Sequence, residues 1–131
     1  MSDLLPAPVP VPAIKTVLIV EDERDLSYLL ECVLHEAGYS TTCARNGAEA
    51  LSHMRAELPD LIVSDLMMPV MTGIELCETL ASNERYTHIP VIIVSSECDV
   101  KTADGCNCVG RIPKPIDLDS LLIAVESSIG H

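Results

Sequence analysis

The chain has 131 residues and a net charge of −12, because 20 acidic residues outnumber 8 Lys and Arg. A chain of this length favours one domain, and the negative charge argues against direct nucleic-acid binding, which needs clustered Lys and Arg. The sequence contains neither an apolar run of about 20 residues nor a basic, apolar secretory leader, so we expect a cytoplasmic protein without membrane insertion.

The first 14 residues differ from the rest of the chain. Prolines at alternate positions, 6, 8, 10 and 12, cannot donate hydrogen bonds to a sheet and favour an extended conformation. We therefore predict a proline-rich tail or linker over residues 1–14 and a folded domain over residues 15–131.

Short apolar runs and helical apolar patterns alternate after residue 14. Strands are predicted at residues 16–20, 41–44, 61–64, 90–96 and 109–113. Apolar residues at helical spacing predict four helices. The first runs from Leu26 to Leu34 and stops at Gly38, the second contains Ala48, Leu51 and Met54, and the third contains Ile74, Cys77, Leu80 and Ala81. The fourth covers residues 118–129, with Leu121, Leu122, Val125 and Ile129 buried. Residues 97–108 show no clear period.

This alternation predicts an α/β fold. The strands are too apolar to have one face in water, which indicates a parallel sheet with helices on both faces. In such doubly wound sheets, ligands bind beyond the carboxyl ends of the strands. Candidate functional residues are therefore those that follow each strand.

Polar side chains end or directly follow four of the five predicted strands. They are Glu21-Asp22-Glu23, Asp65, Ser95-Ser96 and Lys114. Two carboxylates 4 Å apart repel each other by roughly 4 kcal/mol at an effective dielectric constant near 20. Acids gathered at the carboxyl ends of the strands are therefore expected to bind a cation. Oxygen ligands that leave room for water suit Mg²⁺. A divalent cation, a lysine and a hydroxyl around one carboxylate indicate phosphoryl transfer to Asp65.

Four motifs carry a family resemblance: VLIVEDE, PDLIVSDLMMPVMTGIEL, PVIIVSSE and KP, in this order. Through them the chain resembles the receiver domain of two-component response regulators over about residues 15–131. The resemblance implies a flavodoxin-like fold with five strands in the order 2-1-3-4-5.

The resemblance also implies roles for single residues. Asp65 would accept phosphate from a sensor histidine kinase or a histidine phosphotransfer protein. Mg²⁺ would be bound by Asp22 directly, by Glu21 through water, by Asp65 and by the Met67 carbonyl. Ser95 and Lys114 would contact the phosphoryl group, and Lys114-Pro115 would be a cis bond. Pro69 and Gly73 would shape the loop after Asp65.

The implied function is a phosphorylation switch that changes contacts with a downstream protein and catalyses only its own phosphorylation and dephosphorylation. Alternatives within the family are a receiver excised from a hybrid histidine kinase or phosphorelay protein, and a degenerate receiver that acts as an unphosphorylated scaffold. A haloacid dehalogenase-type phosphatase would need an acid where Met67 stands. A flavin-binding module would need phosphate-binding amides where this chain has carboxylates.

Two departures from the family pattern lie after Ser95. The segment between Ser95 and Lys114 is short, which predicts a short or irregular fourth helix there. Arg111 stands where the family has Tyr or Phe, and a guanidinium is not buried without a partner. We therefore hypothesise that signalling proceeds through ordering of residues 97–110 rather than through an aromatic swing.

The six cysteines and four histidines are assigned no part in the main chemistry. Cys32, Cys43 and Cys77 lie in apolar periodic segments and are expected to pack as small hydrophobic residues. Cys98, Cys106 and Cys108 form a pattern that could bind a soft metal or respond to oxidants, although no CxxC pair or histidine accompanies it. The histidines, at positions 35, 53, 88 and 131, are expected at the surface.

Overall fold

The computed structural model describes residues 13–66, 70–96 and 107–130. Its elements are β1 (Thr16–Val20), α1 (Arg24–Glu36), β2 (Ser40–Ala44), α2 (Gly47–Ala56), β3 (Leu61–Asp65), α3 (Gly73–Ala81), β4 (Val91–Ser95), β5 (Cys108–Pro113) and α4 (Leu118–Ile129). Most of the proline-rich tail and nearly all of the segment predicted to hold a short or irregular helix lie outside the described residues, as do Met67, Pro69, Cys98 and Cys106.

The five strands form one parallel sheet in the order β2-β1-β3-β4-β5. This confirms the predicted doubly wound architecture. The central strand β3 extends one residue further than the sequence predicted, so that Asp65 is its last residue and pairs in register with Val94. The carboxyl group of Asp65 is therefore fixed by the sheet itself and not by a loop.

Alternate strand residues pack on opposite faces of the sheet. Leu18 and Val20 pack in a core with α2 and α3, whereas Val17 and Ile19 pack in a second core with α1 and α4. Burial of β3 is complete on both faces, which explains why its sequence shows no alternation with polar residues. Together the two cores hold the carboxyl ends of the strands at one edge.

Local signals explain where the helices begin and end. The Asn46 side chain accepts a hydrogen bond from the backbone N–H of Glu49 and caps α2. Thr72 and Glu75 form a reciprocal capping box at the start of α3. Gly38, with a φ angle of 100°, follows α1 as predicted. In the described part of the chain, no helix has the length and apolar character needed to cross a membrane.

The cysteine predictions are correct in two cases and wrong in one. Cys77 lies on α3 and is buried in the core, and Cys43 is half-buried and donates its thiol hydrogen to Glu31 over 2.9 Å. Burial and this hydrogen bond raise the pKa of the Cys43 thiol to about 11. Cys32 is exposed, because its side of α1 faces away from the sheet. His35, His53 and His88 are exposed, which confirms the surface prediction for these three histidines; His131 lies outside the described residues.

Gly73 allows the chain to turn tightly after Asp65. Its backbone N–H donates to the Leu66 carbonyl over 2.9 Å, and a Cβ atom at this position would lie 2.4 Å from the Asp65 carbonyl oxygen. Gly73→Ala should therefore lower the free energy of unfolding by at least about 2 kcal/mol, measured by urea denaturation.

A glycine in the edge strand provides the matched control. A Cβ atom on Gly110 would meet its nearest neighbour, in Ile92, at an ordinary 3.9 Å. We expect Gly110→Ala to unfold close to the native midpoint. Equal losses in the two variants would contradict the steric argument.

Candidate functional site

Three carboxylates meet at the carboxyl edge of the sheet. Glu21 and Asp22 directly follow β1, and Asp65 ends the neighbouring strand β3. One oxygen from each of these side chains lies within 4.8 Å of the other two. Glu21 and Asp65 are only 4% and 7% exposed, whereas Asp22 is exposed. Two of the three acids are thus removed from water, where their mutual repulsion is poorly screened.

Lys114 supplies the positive charge within this group. Its Nζ atom lies 3.2 Å from Asp65 Oδ2 and 3.3 Å from Glu21 Oε1. Its backbone N–H donates to the Ser95 carbonyl over 3.0 Å, and its peptide bond to Pro115 is cis, as expected. Burial by itself lowers the pKa of Lys114, but the contacts with Asp65 and Glu21 outweigh it and raise the pKa above its ordinary value.

Glu21 is the most perturbed acid of the site. Burial raises its pKa from 4.5 to about 7, although the hydrogen bond it accepts from the Glu23 backbone N–H opposes the shift. The charge of Asp65 raises the pKa further, and Lys114 lowers it. Near neutral pH, Glu21 therefore exists in both protonation states unless a further cation approaches.

Those predicted site residues that the structure describes all lie at one edge of the sheet. Glu21, Asp22, Asp65 and Lys114 are in one cluster. Ser95 is the last residue of β4, which lies between β3 and β5, so it shares the edge. The fourth predicted metal ligand, Met67, lies outside the described residues.

The donor set fits a hard divalent cation such as Mg²⁺. All three side chains offer carboxylate oxygens, and the exposure of Asp22 leaves one side open to water ligands. Mg²⁺ keeps several waters and takes a small number of carboxylates, which this arrangement permits. A soft metal would prefer sulfur, and none of these three ligands is a cysteine or methionine.

Two features of the site were missed in the sequence. Lys114 contacts Glu21 as well as Asp65. The contact with Glu21 was not predicted, because the two residues are 93 positions apart in the sequence. Arg45 directly follows β2, and with Arg24 it lines a cavity of about 410 Å³ that also includes Glu21 and Asp22. The rule that identified the other strand ends could have found Arg45, because it too stands directly after a strand.

Arg111 lies on the edge strand β5, in register with Ile93, and is exposed. This agrees with the expectation that a guanidinium would not take the buried position of an aromatic ring. The segment through which we hypothesised signalling, residues 97–110, lies mostly outside the described residues, so that hypothesis stays a prediction.

The perturbed pKa of Glu21 predicts a pH-dependent stability in metal-free buffer. Because its pKa in the folded protein is about 7 and its ordinary value is 4.5, the folded state retains a proton that the unfolded state releases. The free energy of unfolding should therefore fall as pH rises from about 5 to 8, by up to about 3 kcal/mol from this group. Glu21→Gln should remove this component in urea denaturation at each pH with EDTA present.

The neighbouring acid provides the control for this measurement. Glu23 is exposed, so Glu23→Gln should keep the native pH dependence. If Glu21→Gln instead gave a curve parallel to that of the native chain, Glu21 would not be the responsible group.

The chain is similar in sequence to response regulators. A family model described as "Response regulator receiver domain" matches residues 17–126. The DNA-binding transcriptional regulator NtrC of Escherichia coli K12 is 34% identical over 118 residues, which cover 88% of this chain and 25% of NtrC. The chain thus spans about a quarter of the length of that relative.

Two further similarities extend over almost the whole of the matched protein. The polar-differentiation response regulator DivK of Brucella anthropi is 34% identical over 119 residues, covering 88% of this chain and 97% of DivK. The structure of the chemotaxis response regulator CheY4 of Vibrio cholerae superposes with a TM-score of 0.82 and 27% identity, covering 88% of this chain and 99% of CheY4.

Proposed function

The chain belongs to the response regulator receiver family, and from this premise we propose that Asp65 accepts a phosphoryl group in a Mg²⁺-dependent reaction. The donor would be a phosphohistidine of a sensor histidine kinase or of a histidine phosphotransfer protein. One observation carries the proposal: the nearly buried Asp65 carboxylate lies within 4.8 Å of two other acids and 3.2 Å from Lys114.

The chain's own residues would perform the transfer by position and charge. An Asp65 oxygen attacks phosphorus while the bond from phosphorus to the donor nitrogen breaks, and the nitrogen keeps the electron pair. Lys114, which contacts Asp65 Oδ2 in the structure, would contact a phosphoryl oxygen once the Asp65 carboxylate carries the phosphoryl group as an acyl phosphate. The Ser95 hydroxyl would donate a hydrogen bond to the same group.

Glu21, Asp22 and Asp65 would hold the metal ion, together with the Met67 carbonyl. Bound Mg²⁺ would supply positive charge to the oxygens of the transferring group. Metal binding would require these acids to be ionised, and Lys114 lowers the pKa of Glu21 and so favours its ionised form. The protein would act as a switch for contacts with a downstream protein, with no catalysis beyond its own phosphorylation and dephosphorylation.

Phosphorylation can be tested without a protein donor. Incubation with acetyl phosphate and Mg²⁺ should add one phosphoryl group to the native chain, observed by intact mass spectrometry. Asp65→Asn should abolish the addition, because an amide is not a nucleophile for phosphorus.

The aspartate at the other end of β3 serves as the control. Asp60 precedes β3 at the opposite edge of the sheet, where its side chain accepts from the Thr16 backbone N–H. Asp60→Asn should be phosphorylated at close to the native rate. Modification of Asp65→Asn to the native extent would refute the proposed acceptor.

The metal site can be tested through stability. Mg²⁺ should raise the melting temperature of the native chain, because a ligand that binds only the folded state stabilises it. Asp22→Asn should weaken Mg²⁺ binding by about tenfold or more, because it removes one of three charged ligands. Because Asp22 is exposed, the substitution should leave the fold intact. Dye-based thermal unfolding across a Mg²⁺ titration gives the affinity.

Asp25 provides a charge-matched control for Asp22. It lies in the first turn of α1, is exposed, and is not in the acidic cluster. Asp25→Asn should leave the Mg²⁺ titration unchanged. A native chain whose melting temperature ignores Mg²⁺ would contradict a metal site at this edge.

A further inference from the structure

A glycine at the start of α2 packs directly against a methionine that lies shortly before α3. Gly47 is buried, and a Cβ atom at this position would lie 2.6 Å from both Cγ and Sδ of Met71. The backbone N–H of Gly47 also donates to the Met71 carbonyl over 3.3 Å. The Met71 side chain, which packs against the core beside α2 and α3, therefore occupies the space that any residue other than glycine would need.

On one side, this contact is connected to Glu21. The backbone N–H of Glu21 donates over 2.9 Å to the carbonyl of Ala44, the last residue of β2. Gly47, the first residue of α2, follows three positions later, after the capping residue Asn46. Only two residues separate Gly47 from the residue to which Glu21 is bonded, so the start of α2 and the backbone of Glu21 are positioned together.

On the other side, the contact is connected to Asp65. Gly73 lies two residues after Met71, and its backbone N–H donates over 2.9 Å to the carbonyl of Leu66, the residue after Asp65. A Cβ atom on Gly73 would lie 2.4 Å from the Asp65 carbonyl oxygen. Because Gly73 packs so closely on the end of β3, a displacement of Met71 would shift the backbone around Asp65.

The pairing of β1 with β3 does not extend to these two acids. It ends at Val20 and Ser64, one residue before Glu21 and Asp65. Beyond that pair, Glu21 is bonded to β2 and Asp65 pairs with β4, on opposite sides. A contact between the segments that follow the two acids therefore adds a connection that the strand pairing does not supply.

The backbone just before Met71 is strained. Val70 has a φ angle of 68°, in the left-handed region that a β-branched residue avoids. Its side chain is 81% exposed, so its own packing does not compensate for the strain. Such a conformation persists only where neighbouring contacts fix the backbone. Met71, the next residue, makes such contacts through both its carbonyl and its side chain.

We propose that Gly47 and Met71 are positioning residues for the metal site, an inference that rests on the proposed binding of Mg²⁺ by Glu21 and Asp65. Their contact completes a continuous series of contacts from Glu21 through the start of α2 to Asp65. It therefore keeps the two buried carboxylates at a spacing that one ion can bridge. Neither side chain would contact the ion, and the pair acts through size, because only glycine leaves room for Met71.

A double-mutant cycle in the metal-free full chain tests the size relationship. Gly47→Ala should lower the midpoint of urea denaturation in EDTA, because Met71 must leave its place in the core. In the Met71→Ala background the same change should lower the midpoint by less than half as much. The contacts with Cγ and Sδ are then gone, and only the one with Cβ, at 3.1 Å, remains.

The affinity for Mg²⁺ is the measurement that a purely structural contact would not change. It is obtained by calorimetric titration of the full chain at a temperature where every variant is folded. Gly47→Ala should weaken Mg²⁺ binding about fivefold, a size within the range of coupling between neighbouring residues. Gly47→Ala/Met71→Ala should bind Mg²⁺ more tightly than Gly47→Ala does, since removal of the large side chain relieves the displacement.

A glycine elsewhere provides the control. Gly110→Ala adds the same methyl group to β5, where the nearest neighbour, in Ile92, lies 3.9 Å away. This variant should keep the native Mg²⁺ affinity. A loss of affinity confined to Gly47→Ala and reduced in the double variant supports the positioning role.

The contrary outcomes separate this inference from the proposed function. Native Mg²⁺ affinity in Gly47→Ala, whatever its urea midpoint, would overturn the positioning role while Asp22→Asn still reported on the metal site. Equal effects of Gly47→Ala in the two backgrounds at Met71 would overturn it as well. A native chain that binds no Mg²⁺ would contradict the metal site of the proposed function and this inference with it.

Discussion

The contact of one ammonium group with two buried carboxylates underlies the organisation of this protein. Glu21 and Asp65 are almost entirely removed from water, which would be unfavourable for two negative charges without a cation. Lys114 lies within 3.3 Å of both. The cation joins β5 to the ends of β1 and β3, so the charge balance of the site also connects distant parts of the sheet.

The scaffold provides the precision that this contact needs. Asp65 is a strand residue with a defined register partner on β4, and Lys114 directly follows β5, where its backbone N–H bonds to Ser95. The backbone N–H of Gly73 donates to Leu66, next to Asp65, and the backbone N–H of Gly47 donates to Met71, so the described residues on either side of this segment are tied to the scaffold. Apolar packing on both faces of the sheet thus fixes charged groups that would otherwise separate.

The basic residues at this edge have different surroundings. Lys114 contacts Glu21 and Asp65, whereas Arg24 and Arg45 line the cavity on the other side of β1. A chain with a net charge of −12 repels anions at long range. Glu21, Asp22, Glu31 and Glu49 line the same cavity, so its lining carries more acidic than basic groups.

The sequence by itself determined the architecture and the candidate site residues. Its apolar periods separate strands from helices, and strands with two buried faces require a parallel sheet covered on both sides. The rule that ligands bind at strand ends then selected Glu21, Asp22, Asp65, Ser95 and Lys114.

Only the tertiary structure decided how these groups meet. It made Asp65 the last residue of β3, gave Lys114 two carboxylate contacts, exposed Cys32 and formed the cavity lined by Arg24 and Arg45. The reason is physical: periodicity in a sequence records whether a residue is buried. Distances between side chains on different strands depend instead on sheet order, register and packing, which are set by contacts between residues far apart in the chain.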